Sequence, residues 1–152
     1  MEKKPGSQEL EGARRWCAFQ ERSTQDLETR LQKRGVALAE RKHIVAVLVE
    51  EGFLDRARFA ESYIRAHLVQ KGWGPEKIGA ALRAKGYGSE EVRAHCAGIP
   101  PETWNGVLER LVARRNWQDE GDRSRNIRWL LQRGFRWDDV ARHLPPPGDT
   151  EG

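Results

Sequence analysis

A six-residue pattern occurs three times in this 152-residue chain at nearly equal intervals. Each copy has a leucine, a basic residue three positions later, then a glycine and an apolar residue; the copies are 31–36, 82–87 and 130–135. The leucines are 51 and 48 residues apart, since they stand at positions 31, 82 and 130. That interval is the length of a three-helix unit, so the chain is predicted to consist of tandem repeats.

The repeated pattern is typical of the end of a helix. The leucine faces the core of its unit, and the basic residue interacts favourably with the negative end of the helix dipole. The glycine permits a left-handed cap, after which the apolar residue packs back under the turn. One unit of about 45 residues has too little core to fold alone, so neighbouring units must cover one another. We therefore predict an elongated, curved array of three three-helix repeats.

The rest of the chain supports an all-α fold, because alternating apolar and polar runs are nearly absent. The repeats are predicted at 10–54, 55–99 and 100–144, between a flexible N-terminal tail, 1–9, and a disordered C-terminal tail, 145–152. Capping signals mark where helices begin and end. They predict a cap at Ser23, a cap at Asp55, an opening at Gly74-Pro75, a cap at Ser89, and helices at 104–117, 123–134 and 137–144.

Composition limits the functional class. The net charge is +4, the mean hydropathy is −0.81, and 33% of the residues are charged. No apolar run approaches the ~20 residues of a membrane span, and the charged N-terminal 20 residues do not resemble a signal peptide. We therefore expect a soluble, cytoplasmic protein without a membrane partner, and a monomer.

No catalytic or metal-binding pattern stands out. The two cysteines, Cys17 and Cys96, lack CxxC spacing and are predicted to be buried, inert thiols. The four histidines have no HxxxH spacing, and nucleotide-binding and nucleophile motifs are absent. The chain is predicted to be no enzyme and to need no metal or cofactor.

Six tryptophans are many for so polar a chain. Trp16, Trp104 and Trp129 lie on predicted helices and are interpreted as core anchors. Trp73 stands between two glycines at a corner of the middle repeat, where it either packs the corner or meets a partner. The middle repeat, 55–99, also has eight Lys and Arg against five Asp and Glu, which is most of the positive excess. Its basic residues form either a partner surface or ordinary solvated helix faces.

Two neighbouring segments carry a family resemblance. They read GFLDRARFA at 52–60 and KGWGPEKI at 71–78. At these two boxes, and in the helix end that follows at 82–87, the chain resembles the bacterial RecX family of regulatory proteins. The resemblance extends more weakly over about 10–144. Arg56 departs from the family pattern, which usually has a second acidic residue there.

The resemblance implies the same architecture and a regulatory function. Members of this family bind RecA, lie in the groove of the RecA filament on DNA, and inhibit its ATPase, strand-exchange and coprotease activities. A protein of this kind would act by occupancy and regulate DNA repair and the SOS response. Its partner would be the RecA filament, together with the DNA phosphate backbone.

The candidate contact residues are the basic and aromatic side chains of the middle repeat. Arg58 and Arg65, seven residues apart, share one stripe of a helix. The full candidate set is Arg58, Arg65, Lys71, Trp73, Lys77, Arg83 and Lys85. Two alternatives stay open: a stand-alone DNA-binding protein of the helix-turn-helix type, and a helical scaffold for another protein. Against the former, no second helix shows a base-reading set of side chains.

Overall fold

The computed structural model describes residues 7–147, and this part of the chain is entirely helical between its turns. The predicted all-α class is confirmed. The tails at 1–6 and 148–152 lie outside the described residues, but the first helix already begins within the predicted tail 1–9. The helices are α1 (Ser7–Phe19), α2 (Thr24–Lys33), α3 (Leu38–Glu50), α4 (Arg56–Val69), α5 (Pro75–Ala84), α6 (Ser89–Ala97), α7 (Pro101–Ala113), α8 (Glu120–Gln132) and α9 (Trp137–His143).

These helices follow one another as three consecutive sets of three, in agreement with tandem three-helix repeats. By its internal contacts the chain divides into two compact units, 1–62 and 63–152. The second unit thus contains most of the middle set and all of the last. The predicted repeat boundaries and the elongated outline stay predictions.

The repeated pattern ends the second helix of each set in the expected way. Gly35, Gly86 and Gly134 have φ values of +80°, +94° and +97°. After each glycine, the next N–H bonds back to the carbonyl of the pattern's leucine, at 3.0 to 3.3 Å. This is the Schellman arrangement, which satisfies helix carbonyls that would otherwise lack partners. The leucines and the apolar residues after the glycines are all buried: Leu31, Val36, Leu82, Tyr87, Leu130 and Phe135.

The first unit has its own core, in which α1, α2 and α3 meet. Leu27, Ile44 and Leu48 are at most 1% exposed there. Helix α2 begins where predicted, because the buried Ser23 hydroxyl accepts a hydrogen bond from the Asp26 N–H at 3.0 Å. Ion pairs cover this core at the surface: Arg14 with Glu51 at 2.6 Å and Arg34 with Glu9 at 2.7 Å.

Several helix ends differ from the predictions. Helix α6 is preceded by Gly88 as its N-cap rather than Ser89, and the Glu91 carboxylate accepts the Gly88 N–H at 3.0 Å. Helix α7 begins at Pro101, three residues before Trp104, because a proline in the first turn lacks only an N–H that would have no helical partner.

The last set of helices shows two further differences. Helix α7 ends at Ala113, short of the predicted Trp117, whose indole N–H instead donates to the Val112 carbonyl at 2.8 Å. Helix α8 begins at Glu120 rather than at residue 123, since the Asp119 side chain accepts the Asp122 N–H at 2.7 Å and caps it. The capping side chain of Asp119 therefore accounts for the earlier start of α8.

The predicted tryptophan anchors are only half-buried. Trp16 lies under the guanidinium groups of Arg22 and Arg30, and Trp129 under those of Arg115 and Arg133. Trp16 packs against the core of the first unit as predicted, but neither ring is fully buried, and arginine covers both from the solvent side. Cys17 is buried as predicted, whereas Cys96 is only half-buried.

Candidate partner-binding site

The corner between α4 and α5 carries the most distinctive surface of the second unit. Helix α4 gives way to a turn at Gly72, which has φ +67° and donates to the Leu68 carbonyl at 3.1 Å. The Trp73 N–H then donates to the His67 carbonyl at 3.0 Å. The chain thus reverses and places Trp73 against the last turn of α4. Gly74 and Pro75 open α5 immediately afterwards, as predicted.

Three aromatic rings contact one another in succession at this corner. The ring centroids of Tyr63 and His67 are 3.7 Å apart with an interplanar angle of 22°, and those of His67 and Trp73 are 4.7 Å apart at 48°. The His67 Nδ1 lies 2.8 Å from the Tyr63 carbonyl oxygen. Since a carbonyl only accepts, Nδ1 carries the hydrogen and Nε2 of the neutral ring is the acceptor. All three side chains are half-buried, so each retains an accessible edge.

Two lysines complete the cluster. The ammonium nitrogens of Lys71 and Lys77 lie 5.4 and 4.5 Å from the centroid of the Trp73 ring. An ammonium group over an indole face is attracted by the ring quadrupole, by about 0.5–1 kcal/mol at exposed sites. We call Tyr63, His67, Lys71, Trp73 and Lys77 the aromatic–lysine cluster.

The positive charge at the corner also acts on the histidine. Burial lowers the pKa of His67, and the positive charges of Lys71 and Lys85 lower it further, while the bond to the Tyr63 carbonyl opposes them. His67 is therefore held neutral near pH 7, and the cluster's positive charge comes from its lysines.

The structure brings together only part of the predicted contact set. Lys71, Trp73 and Lys77 converge in the cluster, and Lys85 lies near enough to affect His67 electrostatically. Arg65 is exposed on α4 two residues from both Tyr63 and His67, which places it about 200° around the helix from either ring. Arg83 is exposed in the last turn of α5.

Arg58 belongs to the first unit and is engaged there. Its Nε donates to Glu21 at 2.6 Å, and its terminal nitrogen donates to the carbonyls of Gly52 and Phe53 at 2.9 and 3.3 Å. The Asp55 side chain accepts the Arg58 N–H at 2.9 Å and caps α4 as predicted. These bonds give Arg58 a structural role at the helix start.

Sequence reasoning missed Tyr63 and His67 as members of the site. Neither residue was among the candidate contact residues, and the histidines were considered only for metal-ligand spacing. The available signal was their spacing: positions 63, 67 and 71 are four apart and therefore lie along one side of a helix and its continuation. The stacking on Trp73 depends on the turn at Gly72, which spacing does not reveal.

Backbone hydrogen bonds join the corner between α4 and α5 to the C-terminal end of α8. The Gly74 N–H donates to the Arg133 carbonyl at 2.7 Å, and the Glu76 N–H donates to the Gly134 carbonyl at 2.9 Å. The Arg133 guanidinium returns a bond to the Lys71 carbonyl at 2.8 Å. Carbonyls at the C-terminal end of α8, which have no partner within that helix, thus bond to N–H groups at the N-terminal end of α5. The negative end of one helix dipole faces the positive end of the other, which is a favourable interaction. The second and third sets of helices share this junction.

The described part of the chain offers little for other kinds of site. No three His, Cys, Asp or Glu side chains between residues 7 and 147 are grouped as metal ligands would be. Over the same residues, no helix has the length and apolar character needed to cross a membrane.

Comparison with known proteins identifies the family. The chain is 33% identical over 132 residues to a regulatory protein RecX from Chromohalobacter salexigens, covering 85% of each chain. This chain belongs to the RecX family. It is also 32% identical over 126 residues to the RecX of Stenotrophomonas maltophilia, covering 80% of this chain and 76% of that one.

Two further RecX comparisons concern the domain and the fold. Residues 56–94 match the family model described as the second three-helix domain of RecX, a segment that contains every predicted contact residue. The crystal structure of RecX from Lactobacillus salivarius superimposes with a TM-score of 0.78 at 20% identity, covering 91% of this chain and 93% of that one. The fold of this chain is therefore the RecX fold, and its class is that of a regulatory protein.

Proposed function

We propose that this chain is a negative regulator of the RecA recombinase. It binds in the groove of the RecA–DNA filament and inhibits ATP hydrolysis, strand exchange and coprotease activity, and so regulates DNA repair and the SOS response. It acts by occupancy as a cytoplasmic monomer, without catalysis or a cofactor. The observation that supports this most directly is the aromatic–lysine cluster, which lies within the segment matched to the second RecX domain.

The chemistry of the cluster suits such a partner. Lys71 and Lys77 offer ammonium groups to carboxylates of an acidic protein groove or to nearby phosphates. Trp73 supplies a large half-buried ring of the kind that dominates binding energy at protein interfaces. The backbone junction with Arg133 and Gly134 holds the corner in one conformation before binding, which reduces the entropy lost on association. Arg65, Arg83 and Lys85 extend the positive surface as further proposed contacts.

The decisive experiment measures RecA-catalysed ATP hydrolysis on single-stranded DNA while this protein is titrated in. Inhibition is expected, and no effect at several-fold excess over RecA would refute the proposed function. A double variant, Lys71→Ala with Lys77→Ala, should need roughly tenfold more protein for the same inhibition. The matched control is Lys33→Ala with Lys42→Ala, which removes the same charge from exposed positions in the first unit. Equal losses in both would assign the effect to net charge rather than to the cluster.

A second measurement tests the stand-alone DNA-binding alternative. Affinity for duplex DNA alone is measured against salt concentration, where the slope counts the phosphates that are neutralised. Weak, sequence-independent binding is expected of a protein whose main partner is the filament. Tight, sequence-dependent binding without RecA would instead favour a helix-turn-helix type of function.

A further inference from the structure

A second surface of the 63–152 unit has the properties of a binding groove and shares no residue with the aromatic–lysine cluster. It is a groove of about 450 Å³ between α6, α7, α9 and the turn that precedes α9. Its floor is apolar and well packed, since Ile99, Leu108 and Phe135 are at most 4% exposed. Its volume falls within the range of pockets that hold a drug-sized ligand, and it is large enough for an aromatic side chain.

Trp104 forms a wall of this groove. It was predicted as a core anchor, but it is only half-buried and lines the open space together with Pro101. A tryptophan that is fixed on a helix and partly exposed beside an apolar floor is the type of residue on which binding energy concentrates. The groove is therefore suited to receiving a large apolar side chain.

The rim of the groove is basic. Arg93, Arg136 and Arg142 line it, against one lining carboxylate, Asp139. Arg136 is paired with Glu76 at 2.7 Å in a solvent-exposed pair, and the exposed Arg142 is paired with the half-buried Asp139. Exposed pairs contribute little, so an incoming carboxylate can replace Glu76 on Arg136 at small cost. Arg93 is exposed and has no ion pair within residues 7–147.

We propose that this groove is a docking site for an acidic peptide segment of a partner protein. One aromatic or large aliphatic side chain of the segment occupies the space beside Trp104, and flanking carboxylates bind Arg93, Arg136 and Arg142. Arginine suits this role because its planar guanidinium binds a carboxylate through two parallel hydrogen bonds.

The charge and the apolar floor together favour a peptide over a nucleic acid. Phosphates would also bind the arginines, but a nucleic-acid backbone brings no large apolar group to the floor, and Asp139 opposes a dense row of phosphates. An acidic peptide brings both carboxylates and a large apolar side chain, at the spacing of neighbouring residues in an extended chain. The inference is independent of the proposed RecA inhibition, because it concerns a different surface and is tested without RecA.

The test uses a fluorescein-labelled peptide with one phenylalanine between Asp and Glu residues, titrated with the full chain at physiological ionic strength. Binding is followed by fluorescence anisotropy. Replacing the phenylalanine of the peptide by alanine should weaken binding by roughly tenfold or more, since the groove then receives no apolar group. Equal binding of the two peptides would overturn the proposal, because the contact would then be purely electrostatic.

Variants of the protein locate the binding. Arg93→Glu should lower the affinity for the phenylalanine peptide roughly tenfold. Arg128→Glu makes an equal charge reversal at an exposed position of α8 outside the groove, and it should change that affinity little. Both positions are exposed, so both variants are expected to fold, which circular dichroism checks. A similar loss in both variants would overturn the assignment to the groove.

Cys96 supplies a site-specific readout. It is half-buried and lines the groove, whereas Cys17 is buried in the first unit. The bound peptide should slow alkylation of Cys96 by N-ethylmaleimide several-fold, as followed by mass spectrometry, and leave Cys17 unchanged. Unlabelled oligothymidine should fail to give this protection. Protection by oligothymidine, or none by the peptide, would refute an acidic-peptide site.

Discussion

Gly74 and Gly134 meet backbone to backbone in the 63–152 unit. A Cβ atom on Gly74 would lie 2.5 Å from the Gly134 carbonyl oxygen, and one on Gly134 would lie 2.5 Å from the Lys77 nitrogen. The glycine that ends α8 and the glycine that opens α5 therefore permit the junction beneath the aromatic–lysine cluster. This contact explains why a glycine follows Trp73.

Substitution of either glycine should be strongly destabilising. Gly74→Ala forces a Cβ into the Gly134 backbone. Gly134→Ala causes a similar clash with Lys77, and it also places an alanine in the left-handed region at φ +97°. We expect each to lower the free energy of unfolding by about 2–4 kcal/mol, measured by urea denaturation. Gly106→Ala is the matched control, because Gly106 lies inside α7 with open space around it. That change should stabilise the protein by up to about 1 kcal/mol. A tolerated Gly74→Ala would contradict the close approach.

Arg58→Lys tests the role of the arginine at the start of α4. Lysine keeps the charge but cannot reach Glu21 and the Gly52 carbonyl together, because it lacks the fork of donors. We expect a loss of about 1 kcal/mol in stability, small because the pair is partly exposed. Arg65→Lys, at an exposed position of the same helix, should change thermal stability little. Equal effects of the two changes would argue against a structural role for Arg58.

Ser23→Ala removes the cap of α2. Alanine lacks the hydroxyl oxygen that accepts the Asp26 N–H. Because Ser23 is buried, water would not replace that oxygen as the acceptor. The expected cost is about 1–2 kcal/mol, read from the midpoint of chemical denaturation. Ser124→Ala, at an exposed position inside α8, should be neutral or slightly stabilising. If both variants behaved alike, the hydroxyl of Ser23 would not act as a cap.

The state of His67 should make stability depend on pH. Because burial holds the pKa of His67 in the folded chain below the ordinary value of 6.5, the unfolded chain binds the proton more readily. Stability from this residue is therefore present above pH 6.5 and decreases as the pH falls toward the folded-state pKa. Denaturation at several pH values should show this decrease, and His67→Gln should reduce it. A titration of the His67 ring by NMR with a midpoint above 6.5 would contradict the prediction.

Local signals predicted the helical architecture well. Leu31, Leu82 and Leu130 are buried, and Gly35, Gly86 and Gly134 adopt the left-handed cap, because these roles depend on residues five positions apart or fewer. The same holds for Ser23 and Asp55 as caps. Helix ends were predicted less well where a proline or an aspartate has two possible roles. Helix α7 was predicted to begin at Trp104, but Pro101 opens it.

Local sequence signals did not predict which side chains surround the aromatic residues. Trp129 is covered by Arg133, four residues after it, and by Arg115, fourteen residues before it on another helix. Only the packing of helices shows the contact with Arg115. Trp73 was correctly singled out beside Lys71 and Lys77, yet its contact with His67 arises from the chain reversal at Gly72. Arg58 was predicted as a contact residue from its charge and its position on one stripe with Arg65, whereas its partner Glu21 is thirty-seven residues away.

The amino-acid sequence by itself determined where the helices form, which side of each is buried, and that the RecX pattern is present, because these follow from caps, periodicity and short motifs. Tertiary structure alone decided which half-buried side chains and which backbone groups meet across turns and between helices. Trp73 meets His67 because the chain reverses at Gly72, and Gly74 docks on Gly134 because two helices distant in sequence approach closely enough for backbone groups to bond. Such approaches depend on the packing of whole helices, a property that no short stretch of sequence encodes.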